Sequence, residues 1–285
     1  MSLRSIDPAQ PDAAVKIAVR GISHAYRLRK PREGKREFLA LDSLNFEVGD
    51  GEFVAVVGPS GCGKSTLLDI LSGLATPSRG EIHIDGHAVT GPTLDRGIVL
   101  QGYALFPWRT TRQNVEFGLE AKGVPRSERR AISDRFTRLV GLTGFEDRLP
   151  HELSGGMKQR VALARALAYD PGVLLMDEPF AAVDAQTREV LQDELLRIWS
   201  ETRKTVILVT HSIEEAIYLA DRVVVLSANP GRVRDIVAVD LPRPRTPALR
   251  TGDRFVRLRH RIWELLQNDD AAPPSLVAED AVATR

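Results

Sequence analysis

Apolar and polar positions follow three rhythms along this chain, and each rhythm predicts a different kind of element. Strict alternation marks Val15-Lys16-Ile17-Ala18-Val19 and Leu44-Asn45-Phe46-Glu47-Val48, the pattern of strands buried on one face, and Gly80 to Gly86 reads as a short strand bounded by turn residues. Residues 15 to 100 are therefore expected to hold a mainly antiparallel layer. Continuous apolar runs are different. Phe53 to Val57, Val173 to Met176 and Val206 to Val209 suit parallel strands covered on both faces, and the helical stretch Arg188 to Glu201 suits a crossover between the last two. Helical spacing appears from Thr66 to Leu71, stopped by Gly73, and again across 111 to 142, where Ile132, Phe136, Leu139 and Val140 share a face after Pro125. A last helix is predicted from about Gly252 to Gln267, with Phe255, Leu258, Ile262 and Leu265 on its core side. The core should be α/β, with a small helical insertion. Residues 1 to 14 and 268 to 285, rich in Ala, Pro and charge without periodicity, are expected to be mobile tails.

The first buried run leads into Gly58-Pro59-Ser60-Gly61-Cys62-Gly63-Lys64-Ser65-Thr66. Glycines let successive backbone N–H groups converge on one point, which makes a nest for an anion, and phosphate fits it. The stretch matches G-x-x-x-x-G-K-[ST], in which Lys64 reaches the β and γ phosphates, Ser65 ligates Mg²⁺ and the following helix turns its positive end to the ligand. The required context of strand, loop and helix is present. Cys62 lies inside this loop, so a bulky reagent on its thiol is expected to block the nucleotide, and MgATP to protect it.

Val173-Leu174-Leu175-Met176-Asp177-Glu178-Pro179 places two carboxylates where a buried strand runs out, the edge at which α/β sheets bind ligands. Asp177 suits Mg²⁺ held through water, and Glu178 suits orienting or deprotonating an attacking water. His211 follows the strand ending at Val209 and reaches the same edge, where it could contact a γ-phosphate. In Leu153-Ser154-Gly155-Gly156-Met157, Ser154 is a natural N-cap and the glycines open a helix running to about Ala168, a second anion site at a helix start.

This LSGG stretch, followed by a strand ending in DEP, resembles the signature of ATP-binding-cassette (ABC) ATPases, whose other motifs fall in order across residues 15 to about 245. The resemblance implies an ABC-type P-loop fold with a mixed core sheet, an antiparallel β-subdomain and a helical subdomain at about 102 to 168, together filling residues 15 to 250. Tyr26 resembles the aromatic that stacks on adenine, although the basic stretch 28 to 37 is read as an insertion before the next strand. Gln101 resembles the Q-loop glutamine that senses Mg²⁺ and the γ-phosphate, Asp177 and Glu178 the Walker B pair, and His211 the switch histidine. Asp184 resembles the D-loop aspartate, with Ala181 and Val183 where relatives mostly carry Gly and Leu. In the family, the signature of one subunit closes over ATP held by the other, so a homodimer with two shared ATP sites is implied.

Overall charge narrows the partners. Against 39 basic side chains stand 38 acidic ones, a net charge of +1, which offers no sequence-independent hold on nucleic acid. No run of 18 apolar residues exists, the N-terminus lacks a signal-peptide core, and a single cysteine cannot form an intrachain disulfide, so a cytosolic chain is expected.

Leu105-Phe106-Pro107-Trp108 follows Gln101 closely. It reads either as an apolar turn anchoring the helical insertion or, by its likeness to the LLPW of nitrate, sulfonate, taurine and bicarbonate importers, as a surface touching a membrane permease. SANPGRV (227 to 233) and LPRPR (241 to 245) are similar to that group too. The resemblance thus implies an ATPase subunit peripheral to the cytoplasmic side of the inner membrane, bound to permease subunits and served indirectly by a solute-binding protein. A soluble ABC ATPase of DNA repair or translation is the alternative, and it would need a long coiled-coil insertion or a second cassette. Fractionation separates the two: a transport subunit sediments with membranes only when its permease is present.

Overall fold

The computed structural model describes residues 14–32 and 35–267. Two sheets organise them. The first joins β1 (Val15–Arg32), β2 (Lys35–Gly49), β4 (Arg79–Ile84) and β5 (His87–Ala88) in the order β2-β1-β4-β5, antiparallel throughout. This is the expected antiparallel layer. The stretch 28 to 37 is not an insertion before the next strand: both strands extend into it, pairing Arg32 with Lys35, and so Tyr26 keeps its register opposite Phe38. The expected tails fall outside the described residues, save residue 14.

The second sheet has six strands: β3 (Phe53–Val57), β6 (Arg96–Val99), β7 (Val173–Asp177), β8 (Thr205–Thr210), β9 (Arg222–Leu226) and β10 (Val233–Ala238). Their order is β10-β9-β3-β8-β7-β6, parallel except for the edge strand β10. Side-chain alternation splits each central strand between two cores. Phe53, Ala55 and Val57 join one cluster with Leu174, Met176, Val206 and Leu208, whereas Val54 and Val56 join another with Val173, Leu175, Ile207 and Val209. Both faces are covered, which is why these strands read as unbroken apolar runs.

Helices α1 (Lys64–Ser72), α2 (Thr111–Ala121), α3 (Arg126–Leu139), α4 (Gly155–Ala168), α5 (Ala185–Thr202), α6 (Ile213–Leu219) and α7 (Asp253–Gln267) complete the fold. Strands β5, β6, β9 and β10 lie where the sequence reading placed none. For β9 the signal was present, since Val223-Val224-Val225-Leu226 is an apolar run like the others. Register then does the work of assembly. Val57 pairs with Thr210 and Val225, Asp177 with Val209, and Val99 with Met176, so the carboxyl ends of β3, β6, β7, β8 and β9 form one edge. The segments carrying Lys64, Gln101, Glu178, Asp184 and His211 leave from that edge, whereas Tyr26 lies on β1 of the first sheet and Ser154 to Gly156 open α4.

Candidate functional site

The loop from Gly58 to Gly63 wraps the start of α1, and Gly63 sits at its N-cap with a left-handed φ of 91°. A Cβ at Gly63 would also approach the Ala40 carbonyl at 3.0 Å, so the position needs glycine for conformation and for space. The Lys64 side chain turns back over the loop, its ammonium donating to the Gly58 carbonyl at 2.8 Å and the Pro59 carbonyl at 3.0 Å. It is 92 % removed from solvent, since its relative exposure is 8%. A buried ammonium fixed by two carbonyls can exchange them for phosphate oxygens without leaving the loop. Ser60, Gly61 and Ser65 face solvent, while Thr66 is buried and its hydroxyl bonds the Tyr26 hydroxyl at 3.0 Å. That contact sets the Tyr26 ring, itself edge-on to His24, beside the phosphate loop with an open face.

The Cys62 thiol departs from expectation. Its side chain is fully buried in the second core cluster, with Sγ 3.8 Å from the Lys64 ammonium, so it points away from the loop's ligand side. Burial pushes the thiol above its ordinary pKa, with Lys64 opposing, and a thiol short of thiolate reacts slowly. The Cys62 backbone N–H is turned inward as well, donating to the Pro59 carbonyl at 3.3 Å. Folded protein treated with N-ethylmaleimide should therefore stay unmodified with or without MgATP, and react only after denaturation; mass spectrometry of the intact chain checks this.

At the end of β7, burial holds the Asp177 carboxyl above its usual pKa, a hydrogen bond with Ser65 opposes that shift, and the Glu178 charge adds to it. The pair Ser65 and Asp177 is an oxygen-only donor set, and no group of three His, Cys, Asp or Glu gathers among the described residues. Such a set fits a hard cation that keeps most of its shell as water and phosphate oxygens, as Mg²⁺ does. Glu178 follows in a left-handed conformation, φ 43°, held by its N–H to the Val209 carbonyl at 2.9 Å. This unusual backbone turns its carboxylate toward β8, where Oε2 lies 3.0 Å from His211 Nδ1. His211 is thus brought to Glu178, as sequence position alone only suggested.

Behind His211 lies a buried carboxyl that sequence reading passed over. Glu215 is 5% exposed; it accepts from the Thr210 hydroxyl and from Gln192 Nε2 at 3.2 Å, and burial raises its pKa against those bonds. Thr210 Oγ1 also accepts the Ser212 N–H at 3.1 Å, so the turn bearing His211 is fastened on both sides. A glutamate in the first turn of a short helix carries no sign of this in the sequence.

Gln101 leaves β6 in a solvent-exposed turn, followed by two left-handed residues, Tyr103 and Ala104. Arg165 of α4 reaches back to this turn, donating to the Tyr103 carbonyl at 2.9 Å and the Ala104 carbonyl at 2.6 Å. The same helix begins at Ser154, which caps it by accepting the Met157 N–H at 3.3 Å. The nearest neighbours of Gly155 and Gly156 are Tyr103, Ala182, Val183, Thr187 and Leu191, and Asp184 caps α5 through the Thr187 N–H at 3.0 Å. Within one protomer, then, Ser154 to Gly156 is assembled with the turns of Gln101 and Asp184, not with the loop of Lys64. Arg165, an arginine on an ordinary amphipathic helix, gave no signal of its part in this.

Comparison with known proteins matches this arrangement to one family. The family described as ABC transporter matches residues 41–181. A putative ATP-binding protein of Brucella abortus is 59% identical over 226 residues, covering 79% of this chain and 87% of that protein. The chain belongs to the ABC transporter ATP-binding family. The nitrate import ATP-binding protein of Synechocystis is 45% identical over 252 residues, 86% of this chain and 95% of that one. Among solved structures, an ATP-binding cassette in a dimeric post-hydrolysis state bound to ADP and Pi aligns with a TM-score of 0.68 and 32% identity, over 79% of this chain and all of that one. This chain is an ABC ATPase that binds ATP. No helix among the described residues is long and apolar enough to cross a membrane.

Proposed function

We propose that this chain is the ATP-hydrolysing subunit of an importer for a small anion such as nitrate, a sulfonate or bicarbonate, working as an ATP-dependent homodimer on the cytoplasmic side of the inner membrane. The observation that carries the ATPase part is the convergence of Lys64, Asp177, Glu178 and His211 at one sheet edge, with Glu178 and His211 in hydrogen-bond contact at 3.0 Å. Gly58 to Thr66 would cradle the phosphates and Tyr26 would stack on adenine. Ser65, Gln101 and Asp177 would hold Mg²⁺, which when bound would offset phosphate charge. Glu178 would align the attacking water and take its proton, with His211 holding the carboxylate and facing the γ-phosphate. Ser154 to Gly156 and Asp184, exposed or half-buried on the same side, would meet the ATP of the partner subunit. The choice of anion rests on likeness to the nitrate import protein, which spans nearly all of both chains.

The permease would dock beside Gln101. Trp108 is 73% exposed, and Phe106 packs on Phe117 at 4.6 Å and on Trp108 at 5.8 Å, with the Arg109 guanidinium over Phe106 and Phe117. Such an aromatic and arginine patch has the composition of an interface anchor. Replacing Phe106 and Trp108 together by Ala should cut transport about tenfold or more, the cost of losing one anchor of about 2 kcal/mol, and leave ATPase activity of the isolated subunit near wild type. Membrane fractionation with the co-expressed permease checks the same point: the double variant should move to the soluble fraction. Loss of the fold instead would assign these rings to anchoring α2, and a wild-type chain that ignored the permease would overturn the transport reading.

A further inference from the structure

The phosphate loop is closed from behind by segments far from it in sequence. Strand β2 supplies Ala40, Leu41 and Asp42, and the turn between β9 and β10 supplies Gly231. These two segments are locked together: the Gly231 N–H donates to the Ala40 carbonyl at 2.9 Å, the Asp42 N–H donates to the Gly231 carbonyl at 2.9 Å, and Leu41 and Gly231 form a parallel bridge. Outside them, the Arg232 guanidinium pairs with the Asp42 carboxylate at 2.5 and 2.8 Å. The strap so formed lies hard against the loop. A Cβ at Gly231 would overlap the Cys62 carbonyl oxygen and come within 3.1 Å of Leu41 Cδ2, and a Cβ at Gly63 would overlap that same Leu41 methyl.

Two glycines meet here for different reasons. Gly63 requires its left-handed φ, whereas Gly231 lies outside the left-handed region, where any residue could sit. Space demands glycine at 231, above all the closeness of the Cys62 carbonyl. Because Cys62 Sγ is itself wedged 2.5 Å from where a Gly58 Cβ would lie, the loop has no room to retreat.

We propose that Gly231 is a positioning residue for the nucleotide: its bare Cα seats the 227–232 turn on the Cys62 carbonyl and, with Leu41 against Gly63, fixes the backbone of the loop at residues 62 and 63. This rests on the reading that Gly58 to Thr66 holds the phosphates of ATP. A residue far from ATP then sets affinity for it. Because Glu178 and His211 ride on loops of β7 and β8, the chemistry should be less affected than binding.

Three variants and the wild type test it, read by calorimetric titration with MgADP and by steady-state ATPase assays. Gly231→Ala should raise the MgADP Kd and the KM for ATP about tenfold or more, the scale of an overpacked contact, with kcat within about threefold. Leu41→Ala, which removes backing without adding a clash, should raise KM by about threefold. Arg232→Ala breaks only the exposed ion pair and should leave KM within about twofold. Wild-type KM in Gly231→Ala overturns the proposal, and so does a parallel fall of affinity, kcat and melting temperature. If Gly231→Ala does not fold, Leu41→Ala decides, and an unchanged KM there is fatal. Wild-type protein that bound no MgADP would overturn the reading of the loop and the proposal with it, whereas tight wild-type binding with an indifferent Gly231→Ala overturns the proposal alone.

Discussion

Glu178→Gln should lower ATP hydrolysis by roughly 10²–10⁴, the contribution of a positioned general base, while leaving nucleotide binding intact. Glutamine keeps the size of the side chain and can still bond His211 Nδ1, which lies 3.0 Å from the carboxylate, but it cannot accept a proton from water. The left-handed backbone at 178, tied to the Val209 carbonyl, does not depend on the carboxylate, so the variant should fold. On the proposed reading, Lys64, Ser65 and Asp177 would remain to hold the phosphates and Mg²⁺. With hydrolysis blocked, ATP would persist between the loop of one protomer and Ser154 to Gly156 of the other in the proposed dimer, with one negative charge fewer facing the γ-phosphate. The variant should therefore run as a dimer in ATP and as a monomer in ADP on size exclusion. A Glu178→Gln protein that hydrolyses ATP at the wild-type rate and never dimerises would remove Glu178 from the reaction.

Lys64→Ala should abolish detectable hydrolysis and weaken nucleotide binding by roughly 10–10², as expected for losing a charged hydrogen bond of about 1.5–3 kcal/mol to phosphate. The site predicts a second, smaller effect. Lys64 donates to the carbonyls of Gly58 and Pro59, and its removal leaves both without that donor, so melting without nucleotide should fall by a few degrees while circular dichroism is preserved. The two readouts separate the roles: loss of binding with a native spectrum assigns Lys64 to the ligand, and full wild-type hydrolysis would exclude it from the site.

Much of the site could be read without coordinates because its segments are short and locally self-sufficient. A glycine loop between a strand and a helix dictates its own shape, and Ser154 and Asp184 each cap the helix they begin through bonds three residues away. Tyr26 could be named as a candidate from the sequence, but its hydroxyl bond to Thr66, which spans 40 residues, could not. The Cys62 reading failed for a related reason. Loop membership says nothing of which side a thiol faces, and this one is drawn into the core where β9 and β3 leave an apolar space beside Gly58.

Sequence alone determined the strands that are buried on both faces, the helices with an apolar side, the phosphate loop and the family, because periodicity, capping and glycine spacing are interactions between neighbours in the chain. Tertiary structure decided the rest. The parallel register that sets Val57, Asp177 and Thr210 on one edge, the contact of Glu178 with His211, the buried Glu215 behind it, the reach of Arg165 from α4 to the Gln101 turn, and the seating of Gly231 on Cys62 all join residues 5 to 169 positions apart. Most of these contacts depend on how sheets stack and strands order themselves. Chain order does not encode that directly, since it is the shared burial of both sheet faces, and not any local preference, that selects which strands become neighbours.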